Sequence, residues 1–241
     1  MKRRMCVLAL VLVAATGLAP KCAADDPLAS VLKRGGYTVS LDLNINRKNR
    51  ASVQRVFELL VDERPNAYAT GFVVGDGLVM TAYHAVSGGL SAYKRKQLRL
   101  APDDQLEVRV TVGGCQATVV KFDAEADLAL LRVCRSHRRA DAPAFQISPG
   151  QDESLVVFAQ PNGDKMVRRG VFSGPYMFGG QQFWSAKIEG RDGYSGSPVY
   201  NDSGELVGVF SRYDFTRNVA LISPGIRARK LLEDYAAGRE P

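Results

Sequence analysis

The sequence predicts an all-β protein that ends in one α-helix. From residue 67 onward, a dozen short runs of apolar and β-branched residues follow one another without helical segments between them. Turn signals separate these runs, among them Gly75-Asp76-Gly77, Asn162-Gly163-Asp164 and Asp202-Ser203-Gly204. Short strands joined by tight turns are typical of β-sandwiches and β-barrels.

The predicted strands extend from residue 69 to residue 222. They are Ala69–Val74, Gly77–Thr81, Leu98–Leu100, Leu106–Val112, Ala117–Phe122, Leu128–Val133, Leu155–Ala159, Met166–Phe172, Phe183–Ile188, Pro198–Tyr200, Leu206–Phe210 and Val219–Ile222. We expect the seam between two β halves at 143–149. A helix is predicted at 225–237, with Ser223 as its N-cap and Pro224 in its first turn.

Residues 25–66 are predicted as an N-terminal extension of uncertain structure. They contain an alternating segment, Tyr37–Ile45, and a short helical segment, Ala51–Val61. A pro-segment, an interface and a part of the first β half all remain open for this stretch.

Composition and charge exclude several classes of protein. Hydrophobic residues make up 46% and charged residues 24% of the 241 residues, as in ordinary globular proteins, so disorder and coiled coil are poor interpretations. The net charge is +7, but the first 24 residues contain four bases and no acid. Without them 28 bases face 25 acids, a net charge of +3. The other bases are scattered over loops and a helix without interleaved aromatic residues, so we expect no nucleic-acid partner.

Residues 1–24 are predicted as a secretory signal peptide. The basic start Lys2-Arg3-Arg4 precedes an apolar run that extends to Ala15, and cleavage after Ala24 places small residues before the cut. The run is too short and too weakly apolar for a good membrane span. We therefore expect an exported protein, periplasmic or secreted, with an uncleaved anchor as the alternative.

Two cysteines, Cys115 and Cys134, remain after removal of the signal. If 115–122 and 127–134 are the strands of a hairpin, the two cysteines lie directly opposite each other, close enough for a disulfide in an oxidising compartment. Two buried free thiols are the alternative. The spacing does not suggest a metal site.

Three segments contain the residue types that acyl transfer needs. They are Thr81-Ala82-Tyr83-His84-Ala85-Val86, Asp127-Leu128-Ala129-Leu130-Leu131 and Gly193-Tyr194-Ser195-Gly196-Ser197-Pro198-Val199. A serine becomes a nucleophile at neutral pH when an imidazole takes its proton and a buried carboxylate holds that imidazole. Glycines beside Ser195 let the amides of Gly193 and Ser195 point at a developing oxyanion.

In this order and at these spacings, the three segments resemble the motifs of the trypsin-like serine protease superfamily. The bacterial branch, with its high-temperature-requirement and glutamyl-endopeptidase types, is the most similar. TAYHAV resembles the histidine motif, DLALL the aspartate motif and GYSGSPV the serine motif. The likeness covers roughly residues 67–235. It implies two antiparallel six-stranded β-barrels in a protease domain at 67–241, with barrel one at about 67–142 and barrel two at about 143–224.

The resemblance also implies roles for individual residues. Ser195 would be the nucleophile, His84 the general base and then acid, and Asp127 the carboxylate that orients His84. The amides of Gly193 and Ser195 would form the oxyanion hole. The substrate would be a protein or peptide, and neither a metal nor an organic cofactor would be required.

Substrate-binding residues are predicted at two places. Glu189 lies six residues before Ser195, where resembled enzymes that cut after Arg or Lys have an acid at the pocket floor. Pairing of Glu189 with Arg191 or Lys187 at the surface is the alternative. Ser211-Arg212-Tyr213 follow the strand after the serine, where the substrate backbone is expected to pair as an added strand.

Other interpretations remain at this stage. Taken singly, His84 suits a core histidine, Asp127 a hairpin cap and Ser195 a turn. Tyr194 replaces the aspartate that orders the oxyanion loop in resembled enzymes activated by cleavage, so the loop must be ordered in another way. A catalytically silent binding or scaffold protein is the alternative that Tyr194 motivates, and an anion-binding surface protein rests on the scattered bases. The oligomeric state is not predicted.

Overall fold

The fold consists of two closed antiparallel β-barrels of six strands each, as the family resemblance implies. The computed structural model describes residues 27–48, 66–90, 92–134 and 143–238. The predicted signal peptide and the helix predicted at Ala51–Val61 lie outside these ranges.

Barrel one follows a short helix and includes two more. The elements are α1 (Pro27–Gly35), β1 (Thr38–Arg47), β2 (Asn66–Gly75), β3 (Leu78–Ala82), α2 (Tyr83–Ser87), α3 (Ala92–Gln97), β4 (Leu106–Val112), β5 (Cys115–Asp123) and β6 (Leu128–Val133). Around the barrel the strand order is β1-β2-β3-β6-β5-β4, and pairing of β1 with β4 closes it.

Barrel two is followed by the C-terminal helix. Its elements are β7 (Ser154–Ala159), a 3₁₀ turn (Pro161–Gly163), β8 (Met166–Phe178), β9 (Gln181–Lys187), β10 (Pro198–Asn201), β11 (Leu206–Asp214), β12 (Val219–Pro224) and α4 (Gly225–Ala236). The order is β10-β11-β12-β9-β8-β7, and pairing of β10 with β7 closes the barrel.

The first barrel begins at Thr38, well before the boundary expected at residue 67. Strand β1 pairs with β2 on one side and with β4 on the other, so the barrel has six strands only when β1 is included. The alternation seen in the sequence explains its place, because Leu41, Leu43 and Ile45 are buried in the barrel interior.

Two further predictions were wrong in detail. Leu98–Leu100 is not a strand but follows α3, whose lysine, arginine and glutamine residues favour helix; the Leu100 N–H donates to the Arg95 carbonyl at 2.8 Å. At the C-terminal helix, Pro224 rather than Ser223 occupies the N-cap position, and no side chain caps the helix. Ser223 is fully buried in β12.

The β5–β6 hairpin contains the Cys115–Cys134 disulfide, as predicted. Its register differs from the expected one because Asp123 pairs with Leu128, and a bulge between Val119 and Lys121 shifts the ladder again. The two cysteines are therefore not directly opposite, but their Cα atoms are 5.9 Å apart, within the range for a disulfide.

The core has three parts, one inside each barrel and one between them. Strand β6 serves two of them: Leu131 lies in barrel one, whereas Leu128 and Leu130 pack between the barrels. Burial on both faces explains the nearly continuous apolar run in this strand. Helix α4 adds Ala228 and Leu231 to the layer between the barrels.

Candidate functional site

The candidate site lies in a cleft of about 420 Å³ between the two barrels. Barrel one contributes His84 and its neighbours, and barrel two contributes Ser195 and its turn. Among the described residues, those that line the cleft are Leu43, Ala67, Tyr68, Ala69, His84, Ala85, Gly89, Leu90, Lys94, Phe178, Arg191, Asp192, Gly193, Ser195, Phe210, Arg212, Tyr213 and Phe215. Most of these side chains are apolar, with a few charges among them.

Asp127 and His84 are joined by both side-chain and main-chain hydrogen bonds. His84 lies in α2, a single helical turn that directly follows β3. Asp127 ends the β5–β6 turn with φ of 55°, a left-handed conformation that aspartate tolerates. Its Oδ2 lies 2.7 Å from His84 Nδ1, and its Oδ1 accepts the His84 N–H at 2.8 Å. The imidazole is thereby fixed at the edge of the cleft.

The environment keeps the Asp127 carboxylate ionised although it is buried. Burial alone disfavours the charged form, but hydrogen bonds from the His84 ring, the Ser211 hydroxyl and the His84 amide outweigh it, together with the positive charge that His84 carries when its ring is protonated. The net effect lowers the pKa of Asp127 from 3.8 to about 2. An ionised carboxylate only accepts hydrogen bonds, so His84 Nδ1 must carry the hydrogen.

This tautomer determines the role of the other ring nitrogen. With the hydrogen on Nδ1, the neutral imidazole has its lone pair on Nε2. His84 Nε2 lies 3.1 Å from Ser195 Oγ, so the hydroxyl of Ser195 donates to it. The structure thus brings His84, Asp127 and Ser195, which are distant in sequence, into one hydrogen-bonded chain.

The turn before Ser195 has the geometry of a type II β-turn. The Tyr194 N–H donates to the Arg191 carbonyl at 3.1 Å, and Gly193, the third residue of the turn, has φ of 84°. Only glycine adopts this conformation at little cost. Among the described residues, neither the Gly193 N–H nor the Ser195 N–H donates to a protein acceptor, so both remain available to a ligand in the cleft.

Packing, rather than an ion pair, holds Tyr194. The residue is fully buried, and its ring meets Phe210 edge to face with centroids 5.9 Å apart. Its hydroxyl lies 3.5 Å from Met166 Sδ. The turn is also tied across the cleft, because Lys94 Nζ of α3 lies 3.0 Å from Asp192 Oδ2.

Ser211, Arg212 and Tyr213 lie beside the cleft in different ways. Ser211 is fully buried and donates its hydroxyl hydrogen to Asp127 Oδ2, because a bulge in β11 turns its side chain inward. Arg212 and Tyr213 line the cleft. The Arg212 guanidinium lies 3.4 Å from Asp127 Oδ2 and rests over the ring of Phe178 at 5.7 Å.

Glu189 is not at the floor of the cleft, contrary to the expectation for an enzyme that cuts after Arg or Lys. Its side chain is 57% exposed, and its Oε1 accepts hydrogen bonds from Arg191 Nε at 3.1 Å and Nη2 at 2.9 Å. Arg168 Nε lies 3.9 Å from the other carboxylate oxygen. The surface alternative therefore describes Glu189, since two cations already surround it.

Thr70, in β2, is the main contact that the sequence analysis missed. Its hydroxyl donates to the Gly193 carbonyl at 2.8 Å, and its N–H donates to the Ser195 carbonyl at 2.9 Å. The available signal was a polar residue within the apolar run of β2. A side chain on Gly196 would overlap the Thr70 carbonyl oxygen. The serine turn, meaning residues 191–196, therefore packs closely on barrel one.

Neither a metal site nor a membrane-spanning helix is found among the described residues. No group of three or more His, Cys, Asp or Glu side chains there is arranged to hold a metal ion. Within the same ranges, no helix combines the length and hydropathy needed to cross a bilayer.

The site and fold can be compared with curated relatives. A probable periplasmic serine endoprotease, DegP-like, from Brucella suis is 29% identical over 195 residues, which are 74% of this chain and 32% of the relative. Protease Do-like 1, chloroplastic, from Arabidopsis thaliana is 29% identical over 229 residues, 85% of this chain and 44% of the relative. The chain thus spans less than half the length of these relatives.

Solved structures show the same fold. The serine endoprotease from Yersinia pestis has a TM-score of 0.56 at 17% identity, with 86% of this chain and 65% of that chain covered. An inactive form of Rv3671c from M. tuberculosis H37Rv has a TM-score of 0.55 at 19% identity, with 89% of this chain and 93% of that chain covered.

A family model described as the trypsin-like peptidase domain matches residues 69–209, more than half of the chain. The match includes all three residues of the hydrogen-bonded chain, His84, Asp127 and Ser195. This protein therefore belongs to the trypsin-like peptidase family of the trypsin-like serine protease superfamily.

Proposed function

We propose that the protein is an exported serine endopeptidase that hydrolyses peptide bonds through Ser195, His84 and Asp127. One observation carries the proposal: the hydrogen-bonded chain from Asp127 Oδ2 through the His84 ring to Ser195 Oγ, with distances of 2.7 and 3.1 Å, at the edge of an open cleft. Nucleophilic acyl transfer requires this order of carboxylate, imidazole and hydroxyl.

The first half of the proposed reaction forms an acyl-enzyme. Ser195 Oγ attacks the peptide carbonyl carbon while its proton passes to His84 Nε2, and the ionised Asp127 stabilises the imidazolium. The N–H groups of Gly193 and Ser195 donate to the oxyanion of the tetrahedral intermediate. His84 then gives the proton to the leaving amine, the C–N bond breaks, and the acyl group remains as an ester on Ser195.

The second half regenerates the serine. A water molecule gives a proton to His84 Nε2 as its oxygen attacks the ester carbonyl. The resulting intermediate collapses, the bond from the carbonyl carbon to Ser195 Oγ breaks, and the proton returns from His84 to Oγ. The products are a carboxylic acid and an amine, and no redox partner is needed.

The strand edge beside the cleft supports an extended peptide as substrate. Strand β10 pairs with β11 only as far as Val209, so within the described part of the chain residues 211–213 have no neighbouring strand on that side. Arg212 and Tyr213 of this segment line the cleft. A substrate backbone bound there would extend the sheet by one strand.

Export is proposed from the first 24 residues, whose basic start and short apolar run have the pattern of a secretory signal. The name of the Brucella relative, which includes the word periplasmic, supports the same location. Fractionation of cells followed by N-terminal sequencing tests it: the expected mature chain starts at Asp25, and an uncleaved chain in the cytoplasm would contradict export.

A fluorophosphonate probe tests the proposed nucleophile. We expect covalent labelling of the folded wild type at Ser195, and loss of labelling in Ser195→Ala and His84→Ala. His137→Ala is the matched control, because it removes the other histidine of the chain and should leave labelling unchanged. Cleavage of fluorescein-labelled casein should follow the same pattern. A folded wild type that neither labels nor cleaves would instead indicate a silent binding protein.

A further inference from the structure

We propose that Thr70 is a positioning residue whose hydroxyl holds the Gly193 amide in place for the reaction. Thr70 lies in barrel one, does not line the cleft and is fully buried, so it acts through the serine turn rather than on the substrate. The inference rests on the proposed function, because Gly193 matters in this way only if an oxyanion forms beside it.

The hydrogen bonds of the Thr70 hydroxyl have a fixed direction. Its oxygen lies 3.0 Å from the Gln160 N–H and 2.8 Å from the Gly193 carbonyl oxygen. An amide N–H can only donate, so the oxygen of Thr70 accepts from Gln160, and its single hydrogen is committed to Gly193. The hydroxyl therefore joins the main chain after β7 to the serine turn.

The main chain of Thr70 holds the other side of the same turn. Its N–H donates to the Ser195 carbonyl at 2.9 Å, and its carbonyl accepts the Thr81 hydroxyl at 2.7 Å. Thr70 thus contacts Gly193 with its side chain and Ser195 with its backbone. The N–H groups of both residues remain available in the cleft.

The side-chain bond matters because Gly193 is conformationally free. Type I and type II turns differ mainly by a flip of the central peptide, which here joins Asp192 to Gly193 and carries the Gly193 N–H. Glycine adopts either sign of φ about equally well, so the residue itself selects neither turn type. The hydrogen bond from Thr70 to the Gly193 carbonyl restricts the turn to one type. Without it, part of the population adopts the other turn type, in which the Gly193 N–H points in another direction.

Thr70→Val tests the inference, since valine keeps the shape and the backbone hydrogen bonds but removes the hydroxyl. We expect labelling by a fluorophosphonate probe and kcat on labelled casein to fall about 10-fold to 100-fold, because one oxyanion donor is worth about 10²-fold to 10³-fold. KM should change less than about 3-fold, and the pH profile should keep its shape, as the His84–Asp127 pair is untouched. Thr70→Ser, which keeps the hydroxyl, should restore both rates.

Thr81→Val separates positioning from stability. Thr81 is also fully buried, and valine removes its hydroxyl bond to the Thr70 carbonyl while the Thr70 hydroxyl remains. We expect a Tm decrease similar to that of Thr70→Val but a labelling rate within about 3-fold of wild type.

Three results would overturn the inference. The inference is wrong if Thr70→Val is labelled at the wild-type rate. It is also wrong if Thr81→Val slows labelling as much as Thr70→Val does. In both cases the proposed function survives, since the wild type reacts. A folded wild type that does not label at all removes the proposed function, and this inference with it.

Discussion

Arg227 of helix α4 binds the carboxylate of Asp123 with two nitrogen atoms, Nε at 2.9 Å and Nη2 at 2.7 Å. Asp123 ends β5 and also accepts the Ala126 N–H at 3.0 Å, within the turn that leads to Asp127. The helix that follows barrel two is therefore attached to the turn of barrel one that presents the carboxylate of the site.

Arg227→Met is expected to lower the free energy of unfolding by about 1 kcal/mol, because a bidentate, partly buried ion pair is lost while the aliphatic contact remains. Chemical denaturation measures the change. Arg229→Met is the control, since the only ion pair of Arg229 with a described residue is with Glu233 of the same helix, at 3.5 Å, and its loss should cost less than about 0.5 kcal/mol. Equal effects of the two variants would contradict the assigned role.

Asp127→Asn is expected to reduce kcat/KM by about 10³-fold to 10⁴-fold. The neutral amide can donate to His84 Nδ1, which moves the hydrogen to Nε2, so that the imidazole no longer accepts the proton of Ser195. Casein cleavage at neutral pH measures the loss. Asp123→Asn changes the other aspartate of the same turn and should keep activity within about 3-fold. Wild-type turnover in Asp127→Asn would show that the orientation of His84 does not depend on a carboxylate.

The lowered pKa of Asp127 predicts a pH dependence of stability. The folded pKa is about 2 and the ordinary value is 3.8, so the ionised form stabilises the fold by about 2 kcal/mol above pH 4. This contribution decreases as the pH falls below 4 towards 2. In this range the unfolded state binds more protons than the folded state, so added acid stabilises the unfolded state. Urea unfolding at pH 5 and pH 2 should show a decrease about 2 kcal/mol larger for wild type than for Asp127→Asn. Equal decreases would mean that the carboxylate is not stabilised in its charged form.

Glu189→Gln is expected to leave the cleavage-site preference unchanged, because Glu189 is exposed and, unlike its partner Arg191, does not line the cleft. Profiling on a peptide library with wild type and variant measures this directly. A preference of the wild type for Arg or Lys before the cut that disappears in the variant would place Glu189 in the pocket after all.

Reduction of the Cys115–Cys134 disulfide is expected to lower the free energy of unfolding by about 3 kcal/mol, since the cross-link closes a loop of 19 residues in the unfolded chain. Thermal unfolding with and without dithiothreitol tests this. A variant with both cysteines changed to alanine should unfold at the reduced protein's temperature and not respond to the reagent. An unchanged wild type under reducing conditions would contradict the contribution.

Most of the fold could be predicted because its signals are local. An apolar run such as 128–133 indicates a strand, and turn residues such as 75–77 indicate where a strand ends. The order of three short motifs indicates the family. The missed features depend on contacts that are distant in sequence. Strand β1 is recognised as part of barrel one only through its pairing with β4, which closes the barrel. The side-chain partner of Glu189 depends on how its loop folds. Thr70 contacts Gly193 across 123 positions of the chain, and a polar residue within the apolar run of β2 does not by itself identify that partner.

The position of β1 has a practical consequence for recombinant work. The family match starts at residue 69, after β1, and stops at residue 209, before β12 and α4. A fragment trimmed to those limits would leave the hydrogen-bonding edges of β2 and β4 unpaired, and exposed edges of this kind recruit other chains into aggregates. Expression boundaries intended to yield folded material should therefore begin ahead of Thr38 and extend past Ala236.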